Sequence, residues 1–375
     1  MAIFKSMFKK TGYIKIGSQP EEKGPSVPDG MWLKCSKCKK MVYREDVKEK
    51  LKENLGNICQ VYPEETCYEL RKSISLKENI SEHQIMCGNG ASELIYGLVR
   101  AIRPRKALVV VPSFSEYIRA LRANDSEIVY YQLAPERDFI VAEDIMSYLT
   151  PELDMVFLCN PNNPTGKLIE PDLMLDIITY CRMNRIYVVI DECFMDFVKD
   201  YEKHTRKGLI PYNPYVVILN ALTKIFAFPG IRIGYAMTSD VDLIHAVNVQ
   251  LPSWNVSAVA QLAGKEVVHH EDYVEESRKY VFREREYMYE EMKKMGFKVY
   301  EPSANFIFFQ SDIPLYQELL DRHILIRNCD NFDGIMHGYC RVAIKKHDEN
   351  EILLKEMKDI IQNDSETLKY PAVIS

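Results

Sequence analysis

The chain has 375 residues, more than the roughly 250–300 at which a single hydrophobic core stops growing, so a large domain with a smaller companion is expected. Hydrophobic residues make up 47% and charged residues 27%, and a net charge of −6 offers no basic excess to nucleic acid. The apolar runs fall far short of the ~20 residues that cross a bilayer, and the ten cysteines are scattered except for Cys35 and Cys38, which indicates reduced thiols and a cytoplasmic chain with no membrane partner.

Residues 1–56 open with four lysines and no acid before Glu21, and read as a solvated N-terminal arm. From 57 to 250 short β-branched runs alternate with helical patterns, which implies an α/β domain built on a parallel sheet with helices on both faces. The runs expected as strands are 106–111, 127–131, 155–159, 186–190, 216–220 and 233–236. Between them, Leu94, Ile95, Leu98, Val99 and Ile102 share one helical face after Gly90, and Leu173, Leu175, Ile177 and Ile178 share another after Pro171. Residues 251–363 change texture to a long charged helix, short strands at 298–300, 306–309 and 341–344, and a final amphipathic helix, a smaller α+β domain. The polar tail at 364–375 is expected to fray.

Four of the expected strands run straight into unusual polar residues, and ligands in open α/β sheets bind at the carboxyl ends of strands. Residues 155–159 lead into Asn160-Pro161-Asn162-Asn163-Pro164-Thr165-Gly166. Residues 186–190 lead into Asp191-Glu192-Cys193-Phe194, and 216–220 into Ala221-Leu222-Thr223-Lys224, with Arg232 eight residues further on. Earlier in the chain, Gly88-Asn89-Gly90-Ala91-Ser92 opens a helix, where backbone N–H groups and the helix dipole favour an anion. Singly, these are a turn, a cap, a surface lysine and a glycine loop. Their order and spacing make them a constellation.

Together they resemble the pyridoxal-phosphate-dependent aminotransferase class I/II family, and within it the branch of histidinol-phosphate aminotransferase and threonine-phosphate decarboxylase. The likeness runs from about residue 58 to 363. It implies fold type I, with a large, mostly parallel sheet domain and a small α+β domain. It also implies pyridoxal 5'-phosphate held as a Schiff base by Lys224, a small-molecule amino substrate, and a homodimer with shared active sites. By the same resemblance Asp191 meets the ring nitrogen, Asn163 the ring 3-oxygen and Phe114 the ring face. Gly90, Ala91, Ser92, Thr223 and Arg232 meet the phosphate, joined by Tyr62 from the neighbouring subunit, while Arg341 and Arg327 grip the anionic group of the substrate.

Phe194 and Ala221 depart from the commoner aminotransferase pattern, where a tyrosine and a hydroxyl residue stand, and Phe194 with Ile326-Arg327-Asn328-Cys329 looks closer to the decarboxylase branch. Residues 1–50 resemble instead the start of the carboxyltransferase beta subunit of acetyl-CoA carboxylase. There Cys35-Ser36-Lys37-Cys38 would be half of a zinc ribbon whose second C-x-x-C is absent here. A join near 51–57 is expected on that basis. The leading expectation is an aminotransferase acting on a small amino acid or amino phosphate. Its rivals are a threonine-phosphate decarboxylase and a zinc-ribbon binding module carrying an inactive pyridoxal-phosphate fold.

Overall fold

The computed structural model describes residues 14–15 and 45–369. In chain order its elements are β1 (Ile14–Lys15), α1 (Glu45–Ile58), α2 (Tyr68–Glu78), β2 (Ile85–Gly88), α3 (Ala91–Ile102), β3 (Lys106–Val111), α4 (Glu116–Arg122) and β4 (Glu127–Gln132). There follow β5 (Met155–Cys159), α5 (Pro171–Met183), β6 (Tyr187–Asp191), α6 (Tyr201–His204), β7 (Val216–Ala221), α7 (Leu222–Ile225), β8 (Gly234–Met237) and α8 (Val241–Gln250). The remainder is α9 (Ala258–Val267), α10 (Glu271–Lys294), β9 (Lys298–Tyr300), β10 (Phe306–Gln310), α11 (Leu315–Asp321), β11 (Ile324–Leu325), β12 (Arg327–Asn328), β13 (Tyr339–Ala343) and α12 (His347–Lys369).

Seven strands make the large sheet in the order β2-β8-β7-β6-β5-β3-β4. The central strands are buried residue by residue and apolar but for Asn220: Met155–Cys159 and Val216–Ala221, as a sheet covered on both faces requires. One helical layer is built from α3, α4 and α8, whose Leu94, Leu98, Tyr117, Leu121 and Val247 pack with Val109, Phe157 and Val189. The opposite face packs with α2, α5 and α9 through Leu70, Ile74, Ile177 and Ala260. The structure thus has the expected α/β architecture.

Not every strand runs parallel. β8 is antiparallel to both β7 and β2, so the residues that enter it lie at the same edge as the residues that leave its neighbours. β2 itself was not expected: Ile-Met-Cys-Gly is too short to show a period. The strand expected at 186–190 is shifted by one, ending on Asp191 rather than before it.

A second sheet, β12-β13-β10-β9, is antiparallel and is covered by α10 and α12 through Met288, Met292, Leu353 and Met357. β1 pairs in parallel with β11. Helix α1 passes unbroken through the join expected near 51–57 and packs against α9. Helix α12 continues to Lys369, so the tail expected to fray from 364 is helical at its start.

Candidate active site

Strand β6 delivers Asp191 to the carboxyl edge of the sheet, where it is 5% exposed. Its Oδ2 accepts from the Tyr117 hydroxyl at 2.6 Å and its Oδ1 from the Cys193 backbone N–H at 3.0 Å. Neighbouring β5 ends on Cys159, in register with Asp191. The turn that follows is cross-tied to the turn after β3. Asn162 donates to the Pro112 carbonyl and to Thr165 Oγ1, both at 2.9 Å, and accepts from the Ser113 hydroxyl at 2.9 Å. These bonds fix Asn163 and half-buried Phe114 relative to each other, since both belong to turns that Asn162 holds.

Strand β7 passes through Ala221 into the single turn of α7, which presents Lys224. Its side chain opens onto solvent, although protein surrounds the amine on most sides. Loss of water therefore holds its pKa below the ordinary lysine value, with the guanidiniums of Arg341 and Arg232 acting the same way and Asp191 opposing them. The amine stands 5.3 Å from the Phe194 ring centroid. Phe194 meets Phe306 edge-on at 5.1 Å, and Arg341 lies 4.7 Å over the Phe306 ring. Two aromatic rings thus form a wall from the lysine to the arginine.

The other end of the cleft is backbone. β2 ends in Gly88, and Gly90, with φ +80°, turns the chain into α3, so Ala91 and Ser92 occupy the helix's first turn. A Cβ on Gly90 would lie 2.4 Å from Arg232 Nη2, and one on Gly234 only 2.3 Å from the Ala91 nitrogen. Both positions require glycine, and the clashes locate the Arg232 guanidinium against the opening of α3. The reversal of β8 makes this possible, because Arg232 lies two residues before the strand begins. Arg232 itself adopts φ +57°, a conformation that costs an L-residue about 1–2 kcal/mol. Thr223 is buried beside Lys224.

From the small sheet comes Arg341, 7% exposed, donating to Asn163 Oδ1. Burial lowers its pKa to about 10, and Arg327 adds to the lowering. The two arginines are cross-strand partners on β13 and β12. Arg327 also donates to Asn331 Oδ1 at 2.7 Å and stacks 5.2 Å from the Phe332 centroid. Among the described residues no carboxylate forms an ion pair with Arg341.

The structure therefore gathers Lys224, Asp191, Asn163, Phe114, Gly90, Ala91, Ser92, Thr223, Arg232, Arg341 and Arg327 around one edge. Tyr62 stands apart, 78% exposed and tilted against Trp254 with centroids 4.7 Å apart. Cys35 and Cys38 lie outside the described residues. Sequence reasoning missed Tyr117. The only local signal is its place three residues after Phe114, which does not reveal that it reaches Asp191.

A family model, Aminotransferase class I and II, matches residues 29–357. The chain belongs to that family and is a pyridoxal-phosphate enzyme, a transferase or a decarboxylase. A threonine-phosphate decarboxylase of Salmonella typhimurium is 33% identical over 322 residues, 84% of this chain and 87% of the relative. A histidinol-phosphate aminotransferase of Methanocaldococcus jannaschii is 27% identical over 362 residues, 94% and 90% of the two chains. The crystal structure of the histidinol-phosphate aminotransferase from Clostridium acetobutylicum superposes with a TM-score of 0.79 at 30% identity, covering 85% of this chain and 96% of that one. The family match takes in Cys35, Cys38 and the expected join. The likeness of residues 1–50 to a carboxyltransferase subunit finds no support in these relationships.

Proposed function

We propose that this chain holds pyridoxal 5'-phosphate at the carboxyl edge of the large sheet and transfers the amino group of a small amino acid or amino phosphate, in the manner of a histidinol-phosphate aminotransferase. The observation that carries this reading is the convergence of three groups: an accessible lysine of lowered pKa, a buried carboxylate, and a buried arginine that no carboxylate among the described residues pairs. The residues present fit the cofactor. Two glycines clear the opening of α3, Arg232 adds charge there, and the Asp191 oxygens take neutral donors and keep acceptor capacity.

Bound there, the cofactor supplies an electron sink for charge developing at the substrate Cα. The chain's own groups do the rest. Asp191 keeps a proton on the ring nitrogen. Asn163, whose Oδ1 is taken by Arg341, has its Nδ2 left to donate to the ring 3-oxygen. Phe114 covers one ring face, while Gly90, Ala91, Ser92, Thr223 and Arg232 bind the phosphate. Lys224 holds the cofactor covalently and, when displaced, carries the proton on and off Cα, a task that its lowered pKa suits. Arg341, with Arg327 beside it, grips the substrate's anionic group through a planar guanidinium.

Tyr62 completes the phosphate site of a second copy. Leu55, Val61, Tyr62, Leu76 and Trp254 are each at least 46% exposed, an apolar set better covered by a subunit than by water. The reading is of a cytoplasmic homodimer. Among the described residues no helix is long and apolar enough to cross a membrane.

Decarboxylation of threonine phosphate is the second reading, favoured by Phe194, which sets an apolar ring rather than a phenol oxygen near the lysine. The two reactions differ in which Cα bond stands perpendicular to the ring. Incubating the protein with histidinol phosphate plus an oxo-acid acceptor, and separately with threonine phosphate, decides between them. Keto product from the first supports transamination, CO2 from the second supports decarboxylation, and neither product withdraws both.

A further inference from the structure

Asp191 is held from behind by a residue that no motif marks. Tyr117 stands one helical turn beyond Phe114, so both rings leave the same short segment on one side. Phe114 is half-buried, whereas Tyr117 is fully buried. The Tyr117 ring lies nearly parallel to Phe157 of β5, with centroids 4.9 Å apart and an interplanar angle of 10°, and meets Phe114 edge-on at 5.7 Å. Strand and turn thus clamp the phenol where its O–H reaches Asp191 Oδ2 at 2.6 Å.

The titratable groups facing Asp191 are Tyr117 from α4, Cys159 from β5, Cys193 from the turn after β6 and Lys224 from α7. Burial pushes both thiols up, so they stay neutral. Burial and the Asp191 charge raise the Tyr117 phenol well above the ordinary tyrosine value, so it remains a donor at every working pH.

We infer that Tyr117 is a positioning residue for the electron sink: its O–H occupies Asp191 Oδ2 and fixes the carboxylate, so that a proton between carboxylate and ring nitrogen rests on the nitrogen. A carboxylate deprived of a donor is the stronger base and draws that proton toward itself. The ring then carries less positive charge and withdraws electrons less well. The inference rests on the reading that Asp191 meets the ring nitrogen, and the experiment separates the two.

Tyr117→Phe removes one oxygen and keeps the ring stack; Asp191→Asn removes the carboxylate's charge. In the holoenzymes, the 15N shift of ring-labelled cofactor and the pH midpoint of the bound chromophore are measured, with the thermal midpoint of each apo protein. Tyr117→Phe should move the 15N shift toward neutral pyridine and raise the chromophore midpoint by roughly half to one pH unit. It should lower kcat about tenfold with KM changed less than about twofold. Asp191→Asn should move both spectroscopic signals further in the same direction. Fluorotyrosine at 117, a stronger donor, should move them the opposite way and serves if Tyr117→Phe fails to fold. If Asp191→Asn shifts the signals and neither Tyr117 variant does, the inference is overturned while the reading of Asp191 stands. If Tyr117→Phe changes the apo thermal midpoint alone, Tyr117 is structural and the inference fails. If Asp191→Asn shifts neither signal, the reading of Asp191 falls and takes the inference with it.

Discussion

Two buried carboxylates lie in the same large domain and are treated in opposite ways. Glu78, at the end of α2, is matched on both oxygens: Lys207 donates at 2.5 Å, Tyr235 at 2.5 Å, and the Lys77 amine lies 3.2 Å away. Its pKa is driven far down; burial opposes the shift, and the two lysines overcome it. Asp191 receives neutral donors, the Tyr117 phenol and the Cys193 backbone N–H and thiol, and among the described residues no cation lies within ion-pair distance of it. The first cluster closes its charges on itself and serves the fold. The second leaves acceptor capacity aimed at a cleft, which marks a ligand site more surely than burial alone.

The largest effect expected along this contrast is at the amine beside Asp191. Lys224→Ala should cut turnover by at least about four orders of magnitude, since nucleophile and proton carrier are lost together. Steady-state rates should recover in part when methylamine is added. On the other side, Glu78→Gln should destabilise the fold by about 3–5 kcal/mol, because it leaves buried Lys207 unpaired, as read from denaturant midpoints. Activity per folded molecule should change little. If that variant lost turnover while keeping its stability, the division between the two clusters would be wrong.

The pH dependence of stability follows the same division. The folded pKa of Glu78 is depressed from 4.5, so its contribution is present above about 4.5 and is lost as pH falls through the folded value. The folded pKa of Lys207 is raised from 10.5: loss of water opposes the shift and the Glu78 carboxylate overcomes it, so its contribution is full below about 10.5 and is lost as pH rises through the folded value. Thermal melts of wild type should therefore show a plateau between these limits, and Glu78→Gln should flatten the acid limb.

Much of this was legible in the sequence because it is local. The apolar runs 155–159 and 216–220 are full-length strands, and Asn163, Asp191 and Lys224 follow strand ends within a few residues. What was hidden is either short or distant. β2 has four residues, and β8 is reversed although its composition matches that of a parallel strand. Glu78 and Lys207 are 129 residues apart, and Tyr117 is 74 residues from Asp191. No periodicity encodes such pairs; the sheet order brings them together. The join expected at 51–57 falls inside the continuous helix α1, and a change of sequence texture does not mark a helix end.

Smaller effects sharpen the ligand side. Arg341→Lys keeps the charge but loses the planar fork, and should raise KM for the anionic substrate roughly 10–100-fold, with kcat less affected, as measured in initial-rate assays. Phe194→Tyr adds one oxygen to the ring beside Lys224 and should shift the chromophore midpoint by less than about one pH unit. A change in the ratio of keto product to CO2 in the same variant would tie that ring to the choice of bond broken.

The central claim is that Lys224 holds the cofactor at this edge, and borohydride reduction of the wild-type protein with pyridoxal phosphate, followed by peptide mass spectrometry, tests it directly. The account predicts a single reduced adduct on the peptide that contains Lys224. An adduct confined to other lysines, or none at all, would contradict it.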